Sequence, residues 1–167
     1  MEKQITNLYK SVYNSPFGRF ILVSDDQNLL KVYPTEEPVP TMSEPAPIQL
    51  VRTWLDSYFS GKNPTVDGLP IQVHGTPFQE RCWQLLLKIP YGSTTTYKSI
   101  ADEVAKFTPT DRMSCQAVGQ AISKNPIAII IPCHRVIGSN GKLTGYSGGL
   151  ELKRDLLNHE KAMNTAL

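Results

Sequence analysis

The sequence predicts an α/β N-terminal lobe built on a small antiparallel sheet, followed by a mostly helical C-terminal domain holding a helix-turn-helix. Three observations lead there. Residues 8–34 carry runs of β-branched and aromatic residues separated by a polar turn. From residue 76 onward, capping residues and apolar positions recur at helical spacing. Cutting near residue 72 leaves a net charge of −2 in the first part and +4 in the remainder. A basic C-terminal part suits a polyanionic partner. The boundaries expected are 1–72 for a structural lobe and 73–167 for the second domain.

The N-terminal elements follow in order. "LYKSVYN" (8–14) and "GRFILVSDD" (18–26) read as strands, "DDQN" (25–28) as a turn, and "LLKVYP" (29–34) as the returning strand. The four prolines of "TEEPVPTMSEPAP" (35–47) mark a loop. Leu50, Val51, Trp54, Leu55 and Phe59 then fall on one helical face that ends at Gly61. "LPIQVHG" (69–75) is expected to add one more strand. No catalytic constellation is visible in this part.

In the second part, Thr76 and Gln79 form a capping-box pattern with Pro77 at the first helical position. Phe78, Cys82, Leu85, Leu86 and Ile89 give that helix its apolar face, and Pro90 and Gly92 stop it. "STTTYKSIADEVAK" (93–106) opens on hydroxyl caps and aligns Ile100, Ala101 and Val104. After the turn "FTPTDR" (107–112), "MSCQAVGQAISKN" (113–125) predicts a third helix with Cys115, Val118 and Ile122 inward. Its other face carries Gln116, Gly119, Gln120 and Ser123. This pair resembles a helix-turn-helix, although two packed helices of small residues would read the same way. "IAIII" (127–131) is expected to be a short buried strand. "VIGSNGKLTGYSGG" (136–149) is Gly-rich with a hairpin signal at Asn140-Gly141, and "LELKRDLLNHEK" (150–161) is an amphipathic helix on Leu152, Leu156 and Leu157.

Composition removes several function classes. No apolar run has the length of a membrane span, and the opening "MEKQITNLYK" lacks a basic-then-apolar signal pattern. The three cysteines, 82, 115 and 133, are odd in number and scattered, which argues for a reducing compartment rather than a disulfide framework. Cytoplasm, associated with the nucleoid, is the expected location. No Cys or His pair has metal-ligand spacing, so no metal is expected.

The chemistry concentrates at "IIIPCHRVIG" (129–138). A thiolate is the reactive form of cysteine, and nearby positive charge or a hydrogen-bonding base favours it. Cys133 is followed by His134 and Arg135, with Pro132 fixing the backbone before it. Neighbours in sequence often point apart, so a water is the expected carrier of a proton between Cys133 and His134. A Cys-His dipeptide alone fits a buried structural cysteine beside a solvated His and Arg at least as well. Cys82 and Cys115, on apolar helical faces, read as small hydrophobes.

The longer string Pro132-Cys133-His134-Arg135-Val136 resembles the PCHRV signature of the O6-alkylguanine-DNA alkyltransferases. "YGSTTTYKSIA", "QAVGQAISKNP", "YSGGLELK" and "LLNHE" fall in that family's order, so the resemblance covers about residues 73–161. It implies a ribonuclease-H-like N-terminal lobe, inferred by position, and a DNA-repair activity. Duplex DNA would be bound through the minor groove, the damaged guanine flipped out, and its alkyl group moved irreversibly to Cys133 without a cofactor. Each molecule would act once.

The resemblance assigns roles residue by residue. His134 would take the Cys133 proton through a water, and Glu160 would orient His134. Tyr97 would hydrogen-bond the guanine ring at N3, and Asn125 would link the recognition helix to the cysteine loop. Tyr146, Ser147, Gly148, Val136 and Ile122 would form the base pocket. Thr95, Gln116, Ala117, Gly119, Lys124 and Arg135 would meet DNA. The partner implied is double-stranded DNA carrying O6-alkylguanine, met by a monomer with scope for cooperative loading, and no membrane is involved.

Three departures stand out. Gln116 occupies a position where many members carry the arginine that fills the gap left by the flipped base. Ala128 stands where many carry proline, and "FTPTDRM" is longer than usual. The neutral Gln116 keeps a second reading open, a sensor that binds alkylated DNA without efficient transfer. A third, a cysteine hydrolase built on Cys133 and His134, would turn over small esters or peptides without DNA.

Overall fold

The computed structural model describes residues 7–165 except Thr41, Thr110 and Ser147, with backbone alone for 162–165. It divides into two compact units, Met1–Val73 and His74–Leu167.

The first unit is a three-stranded antiparallel sheet in the order β1 (Tyr9–Ser15), β2 (Gly18–Ser24), β3 (Leu29–Pro34). Ser15 pairs with Gly18, so Pro16 and Phe17 form a two-residue hairpin loop. The helix α1 (Ala46–Phe59) packs on the sheet through Ile48, Val51, Leu55 and Tyr58, all fully buried. Two expectations shift here. Leu50 faces outward at 49% exposure, because Tyr58 and Ile48 complete the inward stripe instead. The strand expected at 69–75 is reduced to one parallel bridge between Leu29 and Ile71. Pro70 has no N–H to extend a ladder. The contact is limited to Leu29 N–H donating to Pro70 O and Gln72 N–H donating to Leu29 O.

The second unit packs α2 (Pro77–Leu86), α3 (Tyr97–Ala105) and α4 (Cys115–Ser123) against one another. The capping box at Thr76 and Gln79 forms as the sequence predicts, with both reciprocal bonds present. Thr96 and Ser114 cap α3 and α4 through their side-chain oxygens alone, accepting from the Ser99 and Ala117 N–H groups. Trp83 is a core residue the apolar pattern missed; its indole N–H donates to Ala121 O at 2.9 Å and ties α2 to α4. A short parallel pairing joins β4 (Thr95–Thr96) to β5 (Val136–Ile137). The closing helix α5 (Leu150–Thr165) packs against a 3₁₀ turn, Cys133–Arg135.

The "IAIII" run is buried but is not a strand. It folds into consecutive turns, closed by Ile130 N–H to Ala128 O and Ile131 N–H to Ile127 O. Ile129 takes φ 71°, a left-handed conformation rare for a β-branched residue. Cys133 therefore leaves a compact turn rather than a strand end. Among the described residues no helix is long and apolar enough to cross a membrane.

Candidate active site

Three neighbouring residues of the 3₁₀ turn are buried together: Cys133 at 6% exposure, His134 at 0% and Arg135 at 8%. The tight turn lets adjacent side chains serve one cluster. Its centre is Glu160, from α5, which is fully buried. One carboxylate oxygen lies 2.5 Å from His134 Nε2. The other accepts from Arg135 Nε at 2.8 Å and from the Gly92 N–H at 3.1 Å. Arg135 also donates to Ile89 O at 2.8 Å. Burial alone would raise the Glu160 carboxyl, but the hydrogen bonds of His134 and Arg135, the Arg135 charge, and the His134 charge once acid protonates that ring outweigh it and hold it at about 2. His134 moves below its ordinary value because burial disfavours the imidazolium more than Glu160 favours it. A neutral His134 donates from Nε2 to Glu160 and leaves Nδ1 basic. Nδ1 is buried and has no hydrogen-bond partner among the described residues.

Burial pushes the Cys133 thiol up, while Asn125, the charge of Lys153, the turn's own backbone and Tyr146 favour its thiolate. Asn125 lies just beyond α4. Its side chain donates to Ile131 O at 2.8 Å and accepts from the Ile127 N–H at 3.0 Å, so it clamps the turn leading to Cys133. The Tyr146 hydroxyl is buried against the Cys133 sulfur without a hydrogen bond of good geometry. Burial first, and then the thiolate, raise that phenol well above its ordinary value.

The β4–β5 pairing sets Thr95 opposite Val136 and so delivers Tyr97, the first residue of α3, beside the cysteine turn. The Tyr97 hydroxyl donates to Thr144 O at 2.8 Å. A groove of about 470 Å³ runs between Tyr97, the Thr144–Gly145 backbone and the α4 residues Cys115, Gln116, Gly119 and Ser123. Gly119 lines this passage opposite the Tyr97 ring, and a Cβ there would make ordinary contact with that ring at 3.9 Å.

The structure thus gathers Cys133, His134, Glu160, Asn125, Tyr146, Tyr97 and Val136 in one region. Gln116 and Gly119 line the groove beside it. Thr95 and Ala117 are half-buried nearby in the chain, Lys124 is exposed, and Gly148 is half-buried. Ile122 is packed into the core at 2% exposure. Ser147 lies outside the described residues. Two expectations are corrected. Arg135, expected at the DNA surface, is inside, because Glu160 and the Ile89 carbonyl satisfy its guanidinium. Cys115, expected inward, is exposed, because α4 turns Val118, Ala121 and Ile122 to the core and places its first residue at the groove.

Lys153 was missed by sequence reasoning. It is fully buried, donating to Thr144 O at 2.8 Å and to the Tyr97 hydroxyl at 3.4 Å. The available signal was its position: directly after Leu152 and three before Leu156, on the apolar side of α5.

Comparison with known proteins follows the same division. The family described as "6-O-methylguanine DNA methyltransferase, ribonuclease-like domain" matches residues 8–73, and its "DNA binding domain" matches 77–162. A Haemophilus influenzae protein named methylated-DNA–protein-cysteine methyltransferase is 37% identical over 163 residues, covering 94% of this chain and 88% of that one. The crystal structure of Mycobacterium tuberculosis O6-methylguanine methyltransferase superposes with a TM-score of 0.80 at 38% identity, covering 94% of each chain. A structure of the mycobacterial OGT in complex with DNA gives a TM-score of 0.79 at 40% identity, covering 91% of this chain and 92% of that one. With both halves matched in order and relatives aligned over nearly their whole length, the chain belongs to the 6-O-methylguanine DNA methyltransferase family.

Proposed function

We propose that this protein repairs DNA by moving the alkyl group of O6-alkylguanine to Cys133, once per molecule and without a cofactor. The observation that carries this reading is the buried Cys133 beside a neutral His134 that Glu160 fixes through Nε2. His134 Nδ1 takes the thiol proton through a water. The sulfur then bonds to the alkyl carbon as the bond from that carbon to O6 breaks, and the electron pair passes to guanine. A proton taken up by the ring, with Tyr97 at N3, lets the base leave neutral. The thioether has no route back to a thiol, so the transfer is stoichiometric.

Residues 73–167 supply binding and chemistry in this reading, and 1–72 a structural lobe. Duplex DNA meets α4, where Gln116, Ala117 and Gly119 lie close to the backbone, with Thr95 and Lys124 at the margin. The flipped base enters past Tyr146, Ser147 and Gly148, with backbone acceptors at Cys133 and Val136. The partner is double-stranded DNA, bound by a monomer that can load cooperatively, in the cytoplasm at the nucleoid. The DNA complex of the mycobacterial relative supports this choice of partner.

The test is intact and peptide mass after mixing with a duplex carrying one O6-methylguanine. One added methyl on the Cys133 peptide, with guanine restored, is the expected result. Lesion binding without mass gain would overturn transfer and favour the sensor reading, to which the neutral Gln116 lends weight.

A further inference from the structure

The cations around Cys133 are not equivalent. Arg135 pairs with Glu160, which answers its charge, and His134 is neutral and bonded to the same carboxylate. Lys153 is different. Its side chain is fully buried, yet among the described residues no carboxylate pairs with it. Its ammonium is held by one carbonyl, Thr144 O, and one phenol, Tyr97. An ammonium without a counter-ion in the interior is costly, and such charges persist where an anion forms beside them. The groups around it are Tyr97 from α3, bonded to its ammonium, and Cys133 and His134 from the 3₁₀ turn on which α5 packs, with Tyr146 against the Cys133 sulfur and Arg135 and Glu160 paired beyond them. Tyr97 and Tyr146 could also ionise, but burial raises both phenols above their ordinary value, so among these groups Cys133 is the one whose anion Lys153 is placed to answer.

We propose that Lys153 is a positioning residue whose fixed ammonium is the counter-charge of the Cys133 thiolate, setting how much of the nucleophile is ionised and keeping the sulfur's charge beside the base pocket. This role rests on Cys133 being the nucleophile of the proposed reaction. The mutual influence supports it. Burial brings Lys153 down to about 8, and the Cys133 thiolate opposes that fall. Conversely, the Lys153 charge favours the thiolate against burial. As the sulfur bonds to the alkyl carbon and the electron pair passes to guanine, the negative charge moves from sulfur toward the base. Tyr97, bonded to Lys153, stands at that base. One ammonium therefore serves the charge at both ends of its path, without giving up its own proton.

The test uses Lys153→Met, which fills the volume and removes the charge, and Lys153→Arg, which restores it. The thiolate is titrated by its ultraviolet absorbance, as the difference between each protein and its Cys133→Ser counterpart. In Lys153→Met the Cys133 midpoint should rise by about one pH unit or more, and Lys153→Arg should recover much of it. Transfer at neutral pH should fall by about three- to fourfold per unit, because the scarcer thiolate is also more nucleophilic. A loss of packing alone would not produce the midpoint shift. A midpoint unchanged in a folded Lys153→Met would overturn the proposal. If that variant does not fold, nitrogen NMR of the Lys153 ammonium decides. It should titrate at lower pH in Cys133→Ser than in the wild type, by reciprocity, and equal values would overturn the proposal. If the wild type transfers nothing but the midpoint shifts, the alkyl-transfer reading fails and the Lys153 pairing stands.

Discussion

Replacing Glu160 by glutamine keeps the shape of the buried cluster and removes the carboxylate at its centre. In the wild type that group accepts from Arg135 at 2.8 Å and the Gly92 N–H at 3.1 Å, and lies 2.5 Å from His134 Nε2. Its folded value of about 2, against an ordinary 4.5, corresponds to on the order of 3 kcal/mol of stability at neutral pH. Removing one partner of a buried ion pair typically costs about 3–5 kcal/mol, because the other charge is left uncompensated. The two routes agree, and the loss is large beside the roughly 5–15 kcal/mol that holds a domain together. The sign follows from the lowered carboxyl. The contribution is complete above about 4.5 and is lost as pH falls through that value toward 2. His134, lowered by burial, acts in the same direction, since the unfolded chain takes up its proton first. Urea unfolding of wild type and Glu160→Gln at a series of pH values is the assay. The stability difference should be on the order of 3 kcal/mol at pH 7 and shrink steadily in acid. A difference below about 1 kcal/mol at neutral pH, or one that does not change with pH, would refute the reasoning, since surface pairs behave that way.

Other outcomes follow from the same geometry. Gln116→Arg should tighten duplex binding and steepen the dependence of log affinity on log salt by about one, measured by fluorescence anisotropy across salt concentrations. Transfer by the wild type should accelerate as pH rises above neutral, because burial holds the Cys133 thiol above its ordinary value, and a rate flat across that range would contradict it. Gly145→Ala should cost about 1–2 kcal/mol in thermal unfolding, since Gly145 has φ 58° and its added Cβ would stand 3.4 Å from the Tyr97 hydroxyl. Thr76→Ala should cost about 1 kcal/mol through loss of the α2 cap while leaving the transfer rate unchanged.

What the sequence revealed and concealed divides along physical lines. Local signals were legible. Thr76, Pro77 and Gln79 start α2 where the capping pattern puts it, because a cap needs only residues within one turn. The sheet of β1 to β3 followed from runs of β-branched and aromatic residues and a polar turn in the same way. Properties set by tertiary surroundings were not legible. The run 127–131 is as apolar as a core strand, but beyond a single bridge at Ile127 it belongs to no strand among the described residues, and a chain of turns closes its backbone instead. Cys115 was taken as inward by spacing, yet which flank of a three-turn helix faces the core depends on where α2 and α3 pack. The resemblance points Arg135 toward DNA and nothing in the sequence singles out Lys153, because charged side chains are seldom buried without partners brought from distant segments. Glu160, Ile89 and Thr144 are those partners, and their approach is invisible to any window of sequence. His134 and Glu160, by contrast, were found together only through the family resemblance, since 26 residues separate them.

The outward turn of Cys115 changes how this protein must be counted. Of its three cysteines, Cys82 and Cys133 are buried and Cys115 is exposed. A reagent that tallies accessible thiols in a native preparation will therefore register Cys115 first and say little about the fraction of molecules still competent to react. A dye attached through that thiol would sit in the groove beside Gln116. A stock crosslinked by air through the same sulfur would lose access to this groove while Cys133 stays intact. For a molecule proposed to be consumed by a single event, spent and obstructed populations would look alike in a binding assay and differ only in the mass of the peptide that carries Cys133.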